Sequence, residues 1–169
     1  MKKILIIISL FSMALAITSC SSENGRFNVK NSWCSEQLTP KLEKVTISAD
    51  ILFVYNSSSL DDSSLDGKKQ LDGLVSHLLG NNLSDIQSIK IVGYTDRIGS
   101  KQYNYDLGLA RAETIKEYLQ NHNIQTNYII ESKGKEYPIT DGCFKLAGDE
   151  LRACLQPDRR VQLYVERGN

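Results

Sequence analysis

The sequence has few of the features that mark an enzyme active site or a cofactor site. It contains only two histidines, His77 and His122, and neither lies in an H-E-x-x-H metal motif or beside a nucleophile elbow. It has neither a G-x-G-x-x-G run nor a Walker A run, so no loop that would hold a nucleotide is indicated. We therefore expect no catalytic activity, no cofactor and no metal.

Clustered positive charge is also missing. The chain has 20 Lys and Arg against 20 Asp and Glu, and its formal net charge is zero. Removal of residues 1–19 would take Lys2 and Lys3 with it, leaving 18 basic and 20 acidic side chains, a net charge of 20 − 18 = 2 negative. Because binding to a phosphate backbone depends on grouped Lys and Arg, we expect no nucleic-acid partner.

Long apolar runs are limited to one, at the N-terminus. Met1-Lys2-Lys3 precedes an apolar stretch from Ile4 to Ile17, which falls short of the roughly 20 residues of a membrane span and has the layout of a secretory signal. The run ends in I-T-S-C, which resembles the lipobox of bacterial lipoproteins and implies that Cys20 is lipidated. An ordinary signal followed by a chance cysteine is the alternative. The absence of Asp after Cys20 implies transport to the outer membrane.

Four cysteines are present, and export to an oxidising compartment suggests how they are used. With Cys20 assigned to lipid, Cys143 and Cys154 enclose a short polar segment and are predicted to form a disulfide. A zinc site would need two more ligands near by, and none is close in sequence. Cys34 is left over, either free or paired with another chain.

Apolar periodicity predicts the element order β-α-β-α-β-β. Leu71, Leu74, Val75 and Leu78 have the spacing of one helical face, whereas β-branched and aromatic residues mark the strands. The predicted elements are a strand or kinked strand pair at 45–55, a helix capped within 61–64 and ending at Gly80, a strand at 86–94, a helix from 103 to about 121, and strands at 128–131 and 161–165.

This order predicts an α/β (α+β) two-layer sandwich, in which a mixed sheet carries both helices on one face. We divide the chain into a signal peptide at 1–19, a lipidated tether and lead-in at 20–44, and one folded domain at 45–169.

A possible binding site lies where the second strand ends. Asp96 follows that strand, and a short loop leads to a helix on which Asn104 and Arg111 share a face, since seven residues at about 100° each nearly complete two turns. A carboxylate accepts hydrogen bonds from an ammonium, and a guanidinium donates two to a carboxylate, so Asp96 and Arg111 are suited to a zwitterion. On spacing alone, a structural salt bridge between the two is the more common arrangement.

Four segments carry a family resemblance. G-Y-T-D-R-I-G-S at 93–100, Y-N-Y-D-L-G-L-A-R-A at 103–112, P-D-R-R-V at 157–161 and L-F-V-Y-N-S-S-S-L at 52–60 resemble the OmpA-like peptidoglycan-binding domain, in the same order along the chain. The likeness covers residues 45–167. The cysteine pair before P-D-R-R-V resembles in particular the C-terminal domain of the enterobacterial OmpA proteins.

The resemblance implies a ligand and a set of site residues. Asp96 and Arg111 would bind the ammonium and the carboxylate of meso-diaminopimelate in the stem peptide of peptidoglycan. Asn104 corresponds to a helix residue beside the ligand, Leu107 to its packing partner, and Asn56 to a polar residue of the turn after the first strand. Gly108 departs from the family, which usually has Ser there.

The Arg159-Arg160 pair corresponds to an arginine pair near the site in that family. Solvent-facing charge at the start of a strand is the alternative for each of the two.

The resemblance implies a lipoprotein that tethers the outer membrane to the cell wall, with its domain facing the periplasm. The alternative is an envelope interaction or signalling lipoprotein. In that case the domain only localises the chain, and the lead-in at 21–44, with Trp33 and Cys34, binds a protein partner.

Overall fold

The computed structural model describes residues 41–61 and 63–168. The predicted signal peptide, the lipidation site at Cys20, and Trp33 and Cys34 of the lead-in lie outside the described residues.

The described chain contains four strands, four α-helices and three short 3₁₀ helices. The strands are β1 (Lys41–Ser48), β2 (Ile86–Tyr94), β3 (Asn127–Gly134) and β4 (Arg160–Arg167). The helices are α1 (Ala49–Leu52), α2 (Leu65–Gly80), α3 (Lys101–Asn121) and α4 (Gly148–Cys154). No helix among these residues is both long enough and apolar enough to cross a membrane.

The strands form one mixed sheet in the order β1-β4-β2-β3. β4 pairs antiparallel with both β1 and β2, whereas β2 and β3 are parallel and joined by α3. Apolar residues of α2 and α3 pack on one face of this sheet, where Ile89, Ile91 and Leu163 are fully buried. The prediction of a two-layer α+β sandwich with both long helices on one face is confirmed.

The element bounds differ from the predicted ones mainly at the first strand. β1 begins at Lys41 and ends at Ser48, and the next four residues form the single turn α1, so a strand over 45–55 is wrong. The backbone N–H of Ala49 donates to the Arg159 carbonyl at 3.0 Å, a contact between distant segments that bends the chain out of the sheet. The predicted cap of α2 is confirmed at Ser64, whose side chain accepts from the Gly67 N–H at 3.0 Å.

Between β3 and β4 the chain makes an excursion at 135–159 that contains α4. The disulfide between Cys143 and Cys154, with Cα atoms 6.0 Å apart, closes its central part. Asp158 is fully buried and fastens the start of the excursion by accepting from the backbone N–H groups of Ile139 and Thr140, at 2.7 and 2.9 Å. The disulfide therefore cross-links a local segment, as predicted.

Two glycines bring α3 unusually close to the sheet. A Cβ on Gly93 of β2 would lie 1.9 Å from the Gly108 carbonyl oxygen, and a Cβ on Gly108 would lie 2.4 Å from Ser132 Oγ. The glycine at 108 is therefore a packing requirement of this chain, which accounts for the departure noted above.

Candidate ligand-binding site

A small pocket of about 120 Å³ lies where β2 ends and α3 begins. Its walls come from the segment after α1, the β2–α3 loop, the first half of α3 and the residue before β4. They are formed by Tyr55, Asn56, Thr95, Asp96, Ile98, Gly99, Tyr103, Asn104, Leu107, Arg111 and Arg159. All five site residues expected from the sequence therefore line one pocket.

Asp96 is held at the floor of this pocket by the loop that follows β2. Its Oδ1 accepts from the backbone N–H of Ile98 at 2.9 Å, which closes a local turn. Its Oδ2 accepts from Arg159 Nη1 at 2.8 Å, and Asp96 is only 7% exposed. Since a carboxylate has about four lone-pair sites, Asp96 keeps acceptor capacity for a ligand.

Arg159 joins Asp96 to a second acid, Asp50. Arg159 Nε and Nη2 donate to the two oxygens of Asp50 at 2.7 and 2.6 Å, a bidentate pair. The hydrogen bonds that Arg159 donates to Asp50, and then the one that it donates to Asp96, raise the pKa of its guanidinium above the ordinary value against the effect of burial. Asp50 lies in the first turn of α1, and the sequence analysis did not identify it.

Arg111 reaches the pocket from the middle of α3. Its Nε donates to the Ser57 carbonyl at 2.9 Å, and its guanidinium carbon lies 5.3 Å from the centre of the Phe53 ring. Burial lowers the pKa of Arg111, an effect that the negative charge of Asp50 partly offsets. Its Nη1 is buried and has no hydrogen-bond partner within the part of the chain that the structure describes.

The structural alternative of an Asp96–Arg111 salt bridge is wrong. The ion pair of Asp96 is with Arg159, whereas the described ion pairs include none to Arg111. One acid, Asp96, and two arginines, Arg111 and Arg159, line the pocket, and Asp50, which binds Arg159 from outside the lining, balances the charge. A neutral zwitterion matches this balance, and a singly charged ligand does not.

Asn104, Leu107 and Asn56 have different parts in the pocket. Asn104 is 2% exposed, and its Nδ2 donates to the carbonyls of Ile98 and Ser100 at 2.8 and 3.0 Å, so it fixes the β2–α3 loop. Leu107 is a half-buried apolar wall. Asn56 is exposed, with a φ of 64°, and its Oδ1 accepts from the hydroxyl of Tyr103 at the mouth of the pocket.

The two residues of the arginine pair, Arg159 and Arg160, have different roles. Arg159 is in the pocket, whereas Arg160 stacks on Tyr94, with its guanidinium carbon 3.9 Å from the ring centre, and donates to the carbonyls of Asp158 and Tyr137. The residues are 8% and 5% exposed, so the interpretation as solvent-facing charge is wrong for both.

A larger depression of about 410 Å³ lies on the sheet face opposite the helices, beside Val92, Tyr94 and Tyr164. None of its lining side chains has a buried polar atom without a hydrogen-bond partner. The unpartnered Nη1 of Arg111 therefore distinguishes the smaller pocket from this depression, although it has less volume.

A sheet covered on one face by two helices, with a charged pocket at one end, defines a small α+β binding domain. The family model described as "OmpA family" matches residues 52–146, which is more than half of the chain. The chain belongs to the OmpA family.

Curated relatives and solved structures agree with this assignment. The chain is 36% identical to Outer membrane protein A of Klebsiella aerogenes over 124 residues, which cover 72% of this chain and 34% of that protein. It is 35% identical to the protein of the same name from Shimwellia blattae over 126 residues, which cover 72% and 50% of the two chains. The chain thus spans about a third to a half of the length of these relatives.

Two solved structures share the fold. The peptidoglycan-associated lipoprotein of Burkholderia pseudomallei is similar with a TM-score of 0.52 and 27% identity, covering 70% of this chain and 88% of that one. The cell wall anchor of the T6SS from Pseudomonas aeruginosa is similar with a TM-score of 0.55 and 21% identity, covering 76% and 87% of the two chains. The second likeness concerns the fold alone.

Proposed function

We propose that this domain binds peptidoglycan non-covalently through the diaminopimelate of the stem peptide. The observation that carries the proposal is the pairing, in one pocket, of a buried guanidinium whose Nη1 has no partner with a buried carboxylate that keeps free lone pairs. A buried donor without a partner costs free energy, and a ligand carboxylate would remove that cost.

The free end of a diaminopimelate side chain has an ammonium and a carboxylate on one carbon. Its carboxylate would accept from Arg111, and its ammonium would donate to Asp96. Arg159 holds Asp96 in place through Oδ2, and Ser57 holds Arg111 through Nε, so both groups are already oriented before the ligand arrives. Preorganisation of this kind lowers the entropic cost of binding.

The pocket offers two oppositely charged groups, Asp96 and Arg111, that are suited to binding. Membership of the OmpA family and the likeness to a peptidoglycan-associated lipoprotein also favour cell-wall binding. We propose further that lipid on Cys20 anchors the chain in the outer membrane, so that the protein tethers this membrane to the wall from its periplasmic side.

Single substitutions in the pocket test the proposal. Asp96→Ala and Arg111→Ala each remove a charge-assisted contact worth about 1.5–3 kcal/mol, so each variant should lose tenfold or more in affinity and fail to co-sediment with purified sacculi. Arg111→Lys keeps the charge without the bidentate fork, so it should bind weakly. Asp66→Ala is the matched control, because the Asp66 side chain is 84% exposed on α2.

A melting curve of each preparation completes the experiment. Asp96 and Arg111 are more buried than a position at the rim of the sheet implies, so a modest decrease in melting temperature is expected with the fold retained. A folded Asp96→Ala protein that pellets with sacculi as well as the wild type does would remove this pocket from consideration.

A further inference from the structure

The exposed aromatic side chains of the described residues gather at the end of the sheet that holds the pocket. Tyr55 and Tyr103 line the pocket itself, and Tyr105 lies two residues after Tyr103 on α3. The Tyr137 carbonyl accepts from Arg160 at the start of β4, and Phe144 contacts Arg97, the residue after Asp96. These five side chains are between 44% and 80% exposed.

Phe144 is the most exposed of the five, at 80%, and the backbone beside it is anchored. Its neighbour Cys143 is 1% exposed and is joined to Cys154 by the disulfide. Behind the ring, the guanidinium carbon of Arg97 lies 5.1 Å from the ring centre. Arg97 is itself fixed, because its Nη2 donates to the carbonyl and hydroxyl oxygens of Thr140 at 2.8 and 3.1 Å.

A second ring at the pocket has the same arrangement. The guanidinium carbon of Arg152, on α4, lies 5.4 Å from the centre of the Tyr55 ring. The Arg152 carbonyl accepts from Arg159 Nη2 at 3.0 Å. The excursion that carries Phe144 is therefore connected to the pocket through Arg97 on one side and through Arg159 on the other.

A large apolar side chain that is exposed and held in place is suited to bind a partner, because little conformational entropy is lost on contact. The flat face of a pyranose ring consists of C–H groups, which pack against the electron-rich face of an aromatic ring. The hydroxyl and acetamido groups at the edge of such a sugar accept from guanidinium donors. A ring backed by arginine fits this chemistry.

The charge of the excursion argues against a lipid surface as the occupant. Attraction to anionic lipid headgroups depends on an excess of Lys and Arg. The excursion at 135–159 has four basic side chains against five acidic ones, so it carries no excess of positive charge.

We propose that Phe144, backed by Arg97, is a saccharide-stacking site that contacts the glycan strand beside the bound stem peptide. The inference rests on the proposed function, since it places the glycan where the pocket holds the peptide. It adds a second contact outside the pocket, made by the disulfide-closed excursion.

The test compares two soluble probes by isothermal titration. One is the free tripeptide that ends in diaminopimelate, and the other is the same tripeptide attached to its N-acetylglucosaminyl–N-acetylmuramyl disaccharide. The wild type should bind the disaccharide-peptide about fivefold more tightly than the free peptide. Phe144→Ala should abolish that preference while its affinity for the free peptide stays unchanged, and Phe144→Trp should restore the preference.

Leu79→Ala is the matched control, because Leu79 is 45% exposed on the last turn of α2 and is far in sequence from the pocket segments.

Equal binding of both probes by the wild type would overturn the inference and leave the proposed function intact. Loss of free-peptide binding in Phe144→Ala would also overturn it, since the residue would then support the pocket. Failure of the wild type to bind either probe would instead overturn the proposed function. Flotation with anionic vesicles that depends on Phe144 would assign the ring to lipid and overturn the inference.

Discussion

At the scale of single residues, the candidate site depends on a chain of three charges, Asp50, Arg159 and Asp96. Arg159 donates two hydrogen bonds to Asp50 and only one to Asp96. Without Asp50, the positive charge of Arg159 would be balanced by Asp96 alone, and Asp96 would attract a ligand ammonium less strongly. Asp50 is therefore a positioning residue that keeps Asp96 available.

Asp50→Asn should weaken binding of the diaminopimelate tripeptide by about tenfold, equivalent to about 1.4 kcal/mol, because Arg159 would then neutralise Asp96. Isothermal titration measures this, and Asp66→Asn, at an exposed acid on α2, should leave the affinity unchanged. An Asp50→Asn protein that binds as well as the wild type would show that Asp96 acts independently of this network.

The sequence was sufficient to place Asp96 and Arg111 in one site, because helical periodicity and the family motifs both locate them. It was insufficient for Asp50, since this acid lies in a stretch with the composition of a strand and reaches Arg159 only because α1 turns the chain. The sequence also did not indicate which side chains are hydrogen-bonded to one another. Nothing in the spacing of Asp96 and Arg111 indicates that Asp96 pairs with Arg159 while Arg111 keeps an unpartnered Nη1.

At the scale of elements, the position of Arg111 depends on how closely α3 approaches the sheet. Gly93 and Gly108 permit that approach, and Ser132 of β3 lies directly against Gly108. Any side chain at 108 would push α3 away from β2 and β3 and would displace the guanidinium three residues further along the helix.

Gly108→Ala should destabilise the domain by about 1–3 kcal/mol, because steric overlap outweighs the roughly 1 kcal/mol that alanine gains in a helix. Urea unfolding measures this, and affinity for the tripeptide should decrease as well. Gly73→Ala on α2 is the matched control: its Cβ would have no neighbour within 4 Å, so this variant should be as stable as the wild type or up to about 1 kcal/mol more stable. A stabilised Gly108→Ala protein would contradict the packing argument.

The long elements were predictable because their apolar periods are clear. β2 was placed with its observed bounds of Ile86–Tyr94, and α3 begins two residues before the predicted start. The short elements α1 and α4 were not predicted. Four residues are too few to show a helical period, and the turn at Ala49 is stabilised by a hydrogen bond to Arg159, more than a hundred residues away along the chain.

The disulfide is expected to stabilise the excursion without supporting the pocket. It closes a loop with a sequence separation of 11, for which the chain-entropy model gives about 3 kcal/mol. None of the residues from Cys143 to Cys154 lines the pocket. Reduction should therefore lower the melting temperature while binding of the free tripeptide at room temperature stays measurable.

Calorimetry with and without reductant checks this expectation, and the Cys143→Ser/Cys154→Ser double variant should no longer respond to reductant. Mass spectrometry of the unreduced protein should find the peptides that carry Cys143 and Cys154 joined. Cys34 joined to either of them would contradict the arrangement.

At the scale of the whole molecule, a tether needs two attachments that work independently. The pocket is formed entirely by residues 55–159 of the described domain, whereas the proposed lipid attachment is at Cys20, outside the described residues. Sacculus binding and membrane anchoring should therefore be separable by substitution, each lost without the other.

Cys20→Ala tests the membrane attachment. Since the lipidated cysteine directs cleavage of a lipoprotein signal, the variant should accumulate as an unlipidated precursor that retains residues 1–19 and does not incorporate radioactive palmitate. The purified domain of the variant should still co-sediment with sacculi, because no pocket residue has changed. Asp96→Ala gives the reciprocal control, with palmitate incorporated and sacculus binding lost. If the Cys20→Ala protein incorporated palmitate like the wild type, the lipid would have to be attached elsewhere, and the tether would lose its proposed membrane end.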